Sequence, residues 1–166
     1  MTIYILISTI DSGINQAKKI LQKEQEGIKY IISHQYRDEQ YKRIPEVLYR
    51  SDVIISQIPG TGLSRSRNHA LQLAEGDIAL IADDDVGILP DAFDIIRNVF
   101  SSDEEIDVAC FKIRTPQGSP EYKDYFPYAC KIDKKPPHYL SSIEIALRLE
   151  AVKAKNIKFD ERFGLG

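Results

Sequence analysis

The chain has 166 residues, of which 43% are hydrophobic and 28% are charged, and its formal net charge is −3. That length favours a single domain with one sizeable core. The slightly negative charge disfavours a nucleic-acid partner, because phosphate backbones attract proteins with a basic face. Residues 1–7 carry no basic segment and run directly into Ser8 and Asp11, which speaks against a signal peptide or membrane span there. We therefore expect a cytoplasmic protein, with docking on the inner face of a membrane left open.

Apolar runs alternate with helical patterns through the first 100 residues, which indicates βαβ units and a mostly parallel sheet. The apolar runs predict strands over residues 3–10, 28–33, 53–58 and 77–82. Helices are predicted over residues 15–24, from the N-cap residue Ser64 to the stop at Gly76, and over 91–100 with Pro90 in the first turn. The first part of the chain therefore predicts an α/β fold.

The second part of the chain changes character. A strand is predicted over residues 108–113, and a helix over 141–154 from the spacing of Ile145, Leu149 and Val152. Residues 115–140 hold five of the 8 prolines and four of the 9 tyrosines without periodicity, so we expect an irregular loop. Long ordered loops are often functional. The loop tyrosines either stack on a sugar ring or pack the loop onto the sheet, and His138 is a minor candidate contact for an acceptor or metal.

Three consecutive carboxylates, Asp83, Asp84 and Asp85, follow the strand predicted at 77–82. Adjacent carboxylates repel one another, and a chain rarely places them at the end of a buried strand unless a cation or sugar hydroxyls offset the repulsion. Mg²⁺ and Mn²⁺ prefer hard oxygen ligands and leave coordination positions open for phosphates. The triplet therefore predicts a divalent-metal site. The alternative is a solvated acidic turn before the helix that follows Pro90.

Polar residues that could complete a ligand site occur at two other places. Thr9 and Asp11 lie at the end of the first predicted strand, and α/β folds bind ligands at that edge of the sheet. Asp11 is otherwise part of a simple turn that caps the next helix. Arg67 lies in the first turn of the second predicted helix, where anions are favoured, or is a solvated surface charge.

Several motifs occur in a characteristic order: Gly-Leu-Ser-Arg-Ser-Arg-Asn-His-Ala-Leu at 62–71, Ala-Glu-Gly-Asp at 74–77, the triplet at 83–85, Pro90-Asp91, and Phe-Asp-Glu-Arg-Phe-Gly at 159–164. Together they resemble the nucleotide-sugar half of the family 2 glycosyltransferases, which are inverting enzymes with the GT-A fold. The resemblance implies one GT-A-like domain over residues 1–166, a Rossmann-like sandwich with a mostly parallel central sheet. It also implies metal-dependent transfer of a sugar from a nucleoside-diphosphate sugar to an acceptor hydroxyl, most often in polysaccharide or glycoconjugate synthesis.

The resemblance further implies roles for individual residues. The nucleotide-sugar-binding residues would be Thr9, Asp11, Arg67, Asp83 and Asp84, and the metal ligand for Mg²⁺ or Mn²⁺ would be Asp85. The donor would be UDP- or GDP-linked, and the acceptor would be a saccharide or a lipid-linked molecule. Where the family has an acidic residue that reads the base, this chain has Ser33-His34-Gln35. The identity of the base is therefore left open.

The catalytic base is not assigned. An inverting transferase needs a carboxylate that takes the proton from the acceptor hydroxyl. The family supplies it just after the segment at 159–164, and this chain stops at Gly166, as a truncated or short form would. Two other classes remain as alternatives. A non-catalytic nucleotide-sugar-binding module would bind the donor without transfer, and a phosphoryl-transfer enzyme with a DxD nucleophile is disfavoured by Gly87 and the mid-chain position of the triplet.

Overall fold

The computed structural model describes residues 1–132 and 139–164, which contain six strands and four α-helices. The strands are β1 (Ile3–Ile10), β2 (Ile28–Tyr36), β3 (Val53–Pro59), β4 (Ile78–Asp83), β5 (Val108–Cys110) and β6 (Ile145–Arg148). The helices are α1 (Ile14–Ala17), α2 (Leu63–Leu73), α3 (Ala92–Ser102) and α4 (Leu149–Ala154). None of the helices in these two ranges has the length and apolar character needed to cross a bilayer.

The six strands form one sheet in the order β3-β2-β1-β4-β6-β5. β1 pairs in parallel with β2 and β4, and β2 pairs in parallel with β3. β6 runs antiparallel to both β4 and β5. The predicted α/β fold with a mostly parallel sheet is confirmed. Because the chain moves outward from β1 to β3 and then returns to the other side of β1, the carboxyl ends of β1 and β4 form a topological switch point.

Both faces of the sheet are covered, as the continuous apolar strands predict. Ile5 and Ile7 of β1 pack in one core with α1 and α3, and Tyr4 and Leu6 pack in a second core with α2 and α4. Each fully buried side chain of this size stabilises the fold by about 1.5–3 kcal/mol relative to exposure. Since side chains alternate along a strand, the polar residues at the strand ends are also divided between the two faces.

The helix predicted over residues 15–24 is mostly absent. A 3₁₀ turn at Asp11–Gly13 leads into α1, which ends at Ala17. Beyond it, the backbone N–H of Gln22 donates to the Tyr30 hydroxyl at 3.1 Å, and the Gln22 side-chain amide donates to the Ile88 carbonyl at 2.9 Å. These long-range hydrogen bonds take the place of helical ones. The chain after Ala17 therefore forms a turn, although the spacing of its apolar residues is that of a helix.

The helix predicted over residues 141–154 is correct only in its second half. Residues Ile145–Arg148 form β6, because its backbone pairs with the edge of β4 and with β5. Leu149 and Val152 are buried on α4, as their spacing predicts. The strand predicted over 108–113 ends earlier, at Cys110. The described parts of 115–140 contain no helix or strand.

Candidate functional site

The carboxyl ends of β1 and β4 bring the first strand and the acidic triplet together. In the β1–β4 register, Ser8 lies beside Asp83. Thr9 Oγ1 donates a hydrogen bond of 2.5 Å to Asp84 Oδ2. Thr9 and Asp84, which are 75 residues apart in sequence, therefore form one polar pair at the switch point.

Gly13, in the 3₁₀ turn that follows β1, lies directly against this pair. A Cβ atom at Gly13 would overlap the Asp84 carboxylate and would lie 2.7 Å from Thr9 Oγ1. Only a residue without a side chain allows the backbone to approach the carboxylate so closely. The sequence does show a glycine three residues after the end of β1, but it does not show that Asp84 is the residue it contacts.

Arg67 pairs with the first carboxylate of the triplet. Its Nη2 atom lies 2.9 Å from Asp83 Oδ1, and its guanidinium lies 5.6 Å from the centroid of the Phe159 ring. Arg67 is the fifth residue of α2, beyond the first turn in which the sequence placed it, and Gly62 takes the N-cap position predicted for Ser64. The Arg67 side chain is only 9% exposed, which excludes the alternative of a solvated surface charge.

The triplet is divided between the two faces of the sheet. Asp83 contacts α2 through Arg67, Asp84 contacts β1 through Thr9, and Asp85 lies beyond the strand end and is exposed. Across residues 1–132 and 139–164, no three His, Cys, Asp or Glu side chains form a group that could hold a metal by themselves. A divalent ion here would take one or two carboxylate oxygens and complete its shell with phosphates and water, as Mg²⁺ commonly does. The donor chemistry of the triplet fits such an open site.

Asp11 is buried and is bonded to protein groups. Its carboxylate accepts hydrogen bonds from the Arg37 backbone N–H at 2.9 Å and from Arg37 Nε at 2.6 Å. Burial alone would raise the pKa of Asp11, but the hydrogen bonds and charge of Arg37 outweigh it and hold that pKa below its ordinary value. Asp11 has a φ of 50°, so it is a turn residue with a left-handed backbone. The carboxylate predicted to contact a nucleotide is thus already paired.

His34 holds that turn in place, a role that the sequence interpretation missed. The ring is fully buried, with Nε2 2.9 Å from the Asp11 carbonyl and Nδ1 3.0 Å from Gln57 Nε2. A carbonyl only accepts and an amide nitrogen only donates, so His34 is the neutral tautomer with its proton on Nε2. Burial lowers its pKa, and the interaction with Asp11 opposes that shift only in part.

The segment 159–164 packs along the first half of α2. The Asn68 amide donates to the Phe159 carbonyl at 2.9 Å, and its oxygen accepts from the Phe159 N–H at 2.8 Å. The same amide also donates to Glu161 at 2.9 Å. The N–H of Leu63, at the start of α2, donates to the Gly164 carbonyl at 2.8 Å. Two motifs 91 residues apart in sequence therefore form one unit beside Arg67.

His69 and the candidates in the 115–140 loop are apart from the switch point. His69 Nε2 is 2.7 Å from Ser56 Oγ, as suits a packing residue. The Tyr125 hydroxyl accepts from the Ile113 N–H at 3.0 Å, so Tyr125 packs the loop onto the sheet. A groove of about 870 Å³ runs from Val86 along α3 to this loop. His138 lies outside the described residues.

Solved structures with the same fold were found by comparison. The S. aureus TarS 1-349 structure in complex with UDP superimposes with a TM-score of 0.74 at 18% identity, covering 100% of this chain and 52% of that chain. The complex of TarS 1-349 with UDP-GlcNAc gives a TM-score of 0.72 at 18% identity, covering 96% of this chain and 49% of that chain. TarS 1-349 without a named ligand gives 0.69 at 20% identity, covering 97% and 51% of the two chains.

These likenesses confirm the GT-A glycosyltransferase fold expected from the sequence motifs. The chain spans about half the length of these TarS 1-349 structures. No protein-family profile and no curated protein sequence matches it.

Proposed function

We propose that this chain is the donor-binding domain of a family 2-like glycosyltransferase, which transfers a sugar from a nucleoside-diphosphate sugar to an acceptor hydroxyl. The observation that carries the proposal is the meeting of Thr9, Arg67 and the carboxylates of Asp83 and Asp84 at the switch point of a GT-A fold. α/β folds bind nucleotides in that crevice. The UDP and UDP-GlcNAc complexes of TarS, which share the fold, support a UDP-linked donor.

The chemistry requires positive charge near the leaving group. Cleavage of the bond to the anomeric carbon builds negative charge on the diphosphate, and Mg²⁺ or Mn²⁺ neutralises such charge as a Lewis acid when bound. Asp85 is the proposed metal ligand, because its carboxylate is exposed at the end of β4. Arg67 is held by Asp83, and it contributes a fixed positive charge at the same edge.

The neutral parts of the donor require hydrogen-bonding groups. Thr9, Asp83 and Asp84 are the proposed contacts for ribose and base, since each lies at the carboxyl end of its strand. Asp11 is proposed to act indirectly, by holding the turn between β1 and α1. Its buried carboxylate pairs with Arg37, whose side chain is 67% exposed and extends toward solvent.

The proposed acceptor site is the groove beside α3. The groove between α3 and the 115–140 loop begins at Val86, next to the triplet, and its walls combine apolar residues with Lys112 and Tyr125. A saccharide, free or lipid-linked, suits such a mixed surface. A role in polysaccharide or glycoconjugate synthesis at the cytoplasmic face of a membrane belongs to the same proposal.

A second candidate is a donor-binding module without transfer. The carboxylates of the 159–164 segment are both engaged: Asp160 pairs with Arg162, which lowers the pKa of Asp160, and Glu161 accepts from Asn68. A general base needs a free carboxylate within reach of the acceptor hydroxyl. This arrangement favours binding of the donor over complete turnover by residues 1–166 alone.

The proposal is tested by calorimetric titration of UDP and GDP into the protein, with and without Mn²⁺. We expect Mn²⁺-dependent binding of UDP that weakens at least about tenfold in Asp85→Asn, since 1.4 kcal/mol of metal-mediated binding corresponds to that factor. Asp94→Asn, an acid on α3 whose side chain is 80% exposed, is the matched control and should bind as the unaltered protein does. Failure of the folded protein to bind either nucleotide would contradict the donor site.

A further inference from the structure

Strand β3 lies at one end of the sheet with its outer edge open. Within residues 1–132 and 139–164, β3 pairs with β2 alone. The strand at the other end, β5, has only 3 residues, and short edge strands are one of the devices by which proteins avoid unwanted pairing. β3 has 7 residues and therefore offers a much longer edge.

The sequence of β3 carries little protection against pairing. It reads Val-Ile-Ile-Ser-Gln-Ile-Pro, with no charged residue and with proline only at the last position. Edge strands that stay single commonly carry lysines, inward-pointing charges, bulges or internal prolines. None of the seven residues is buried, and Ile54 is 41% exposed. An apolar edge of this kind is a template for a further strand.

The hydrogen bonds to β2 show which backbone groups of β3 point outward. The Tyr30 N–H donates to the Asp52 carbonyl at 2.8 Å, just before β3, and the Gly60 N–H donates to the Tyr36 carbonyl at 2.9 Å, just after it. Backbone groups alternate in direction along a strand, so the even-numbered residues of β3 face β2. The outward row comprises Val53, Ile55, Gln57 and Pro59.

The chain itself closes both ends of this outward row. The Val53 N–H donates to the Arg50 carbonyl at 3.2 Å. Pro59 has no N–H, and its carbonyl accepts from Arg65 Nη1 at 2.8 Å. The middle of the row, formed by the N–H and C=O groups of Ile55 and Gln57, is left for another strand.

The side chains of β3 make the edge complementary to itself. Ile54, Ser56 and Ile58 share the face on which Ser56 contacts His69 of α2. The pattern isoleucine, serine, isoleucine reads the same in both directions, so a second copy of β3 running antiparallel presents a matching row. With a two-fold axis at Ser56, Ile54 lies beside Ile58 of the second copy.

The same axis also uses the free backbone groups. It places Ile55 opposite Gln57 of the second copy, and Gln57 opposite Ile55 of the second copy. Residues in this relation exchange both of their backbone hydrogen bonds in an antiparallel ladder. The two Ser56 residues then form the closely spaced pair between them, with Cα atoms about 4.5 Å apart.

We propose that the protein forms a two-fold symmetric dimer in which the β3 edges of two copies pair antiparallel about Ser56. Such an interface is closed, because each copy contributes the same edge. The contact is one strand edge, smaller than the roughly 1,600 Å² of a standard interface, so we expect a dissociation constant above about 1 μM. Antiparallel pairing puts the two switch points at opposite ends of the joined sheet, where both stay open.

Sedimentation equilibrium between about 1 μM and 1 mM protein measures the association. We expect a dimer at the upper concentrations and a dissociation constant at least about tenfold higher in Ile54→Lys, which places a charge at the edge. The matched control is Val108→Lys on β5, at the other edge, where Val108 is 53% exposed. It should associate as the unaltered protein does. Circular dichroism shows that each variant is folded.

A cysteine on the proposed axis gives a second test that does not depend on Ile54. Ser56→Cys is made in a protein whose free cysteines, Cys110 and Cys130, are both replaced by serine. The Cα separation expected at the axis lies within the range that a disulfide spans. Mild oxidation should link Ser56→Cys into dimers and leave Ser101→Cys, at an exposed position on α3, monomeric.

Several results would overturn the proposal. A monomer at about 1 mM protein would show that the edge stays single, against the expected affinity. Association that persists in Ile54→Lys without a disulfide in Ser56→Cys would place the contact on another surface. Loss of association in Val108→Lys alone would assign it to β5. Growth beyond the dimer with rising concentration would contradict a closed two-fold contact.

Discussion

Gly13 shows how much one residue can decide at this site. Its backbone lies so close to the side chains of Thr9 and Asp84 that a Cβ atom at this position would overlap them. We expect Gly13→Ala to destabilise the protein by about 1–3 kcal/mol, the usual cost of overpacking, and to weaken UDP binding because Asp84 must move. Urea denaturation and calorimetry measure the two effects.

Gly87→Ala is the matched control, since a Cβ at Gly87 meets nothing within 4 Å. Equal stability of Gly13→Ala and the unaltered protein would show that the turn has room to relax, contrary to the geometry.

His34 gives the protein a pH-dependent stability. Burial lowers its pKa in the folded state below the ordinary value of 6.5, so the unfolded chain binds the proton more readily. The stabilisation that neutral His34 gives the folded state is therefore fully present above about pH 6.5. As the pH falls below that value, the free energy of unfolding decreases by up to about 1.4 kcal/mol per pH unit. The lowered pKa of Asp11 acts only in more acid solution, below its ordinary 3.8.

Chemical denaturation between pH 7.5 and 5 measures this slope. His34→Gln retains an amide that can donate to the Asp11 carbonyl but has no group that titrates there, so its slope should be smaller. An unchanged slope in His34→Gln would assign the pH dependence to other groups.

The contact between α2 and the 159–164 segment acts at the level of whole elements. Asn68 saturates the Phe159 backbone and also bonds Glu161, and it is almost fully buried. Asn68→Asp keeps the acceptor for the Phe159 N–H but loses both donors and places a negative charge beside Glu161. We expect a loss of about 1–3 kcal/mol in the free energy of unfolding and faster hydrogen exchange in residues 159–164.

Gln72→Ala on the exposed side of the same helix should change stability by less than about 0.5 kcal/mol. Protection of 159–164 that survives in Asn68→Asp would show that its other contacts, the Leu63–Gly164 hydrogen bond and the packing of Phe159 under Arg67, hold the segment without Asn68.

The 115–140 loop is attached by a buried ion pair. Lys123 Nζ lies 2.6 Å from Glu144 Oε2, and their side chains are 10% and 1% exposed. Removing one member leaves the other charge buried, so Glu144→Gln should cost about 3–5 kcal/mol and expose residues 115–132 to limited proteolysis. Lys155→Met removes a member of the exposed Lys155–Asp107 pair and should cost less than about 1 kcal/mol. Equal losses in the free energy of unfolding for Glu144→Gln and Lys155→Met would contradict the greater importance of the buried ion pair.

At the scale of the whole molecule, strand order creates the site. Thr9 on β1 and the triplet after β4 meet because the chain crosses back over β1 after building β2 and β3. Parallel strands place their carboxyl ends at one edge, so residues far apart in sequence converge there. The TarS complexes share this fold, and because this chain spans about half of those structures, the activity of a longer protein stays a proposal.

Part of this architecture could be predicted from residues alone. The apolar runs of β1, β3 and β4 and the spacing of Phe93, Ile96 and Phe100 on α3 depend on local periodicity, which sequence carries directly. The turn after α1 and strand β6 could not be predicted, because their hydrogen bonds go to residues far along the chain, such as Tyr30 for Gln22.

The sequence by itself determined the α/β class, the positions along the chain of the apolar runs that form the parallel strands, and the presence of the acidic triplet at the end of one of them. Those features depend on which residues are neighbours in the chain. Only the tertiary structure decided that Asp11 is already paired with Arg37, that Gly13 lies against Asp84, and that the Gln35 amide nitrogen is buried without a partner. These depend on contacts across the sheet, which arise when strands distant in sequence pack side by side and which no local pattern records.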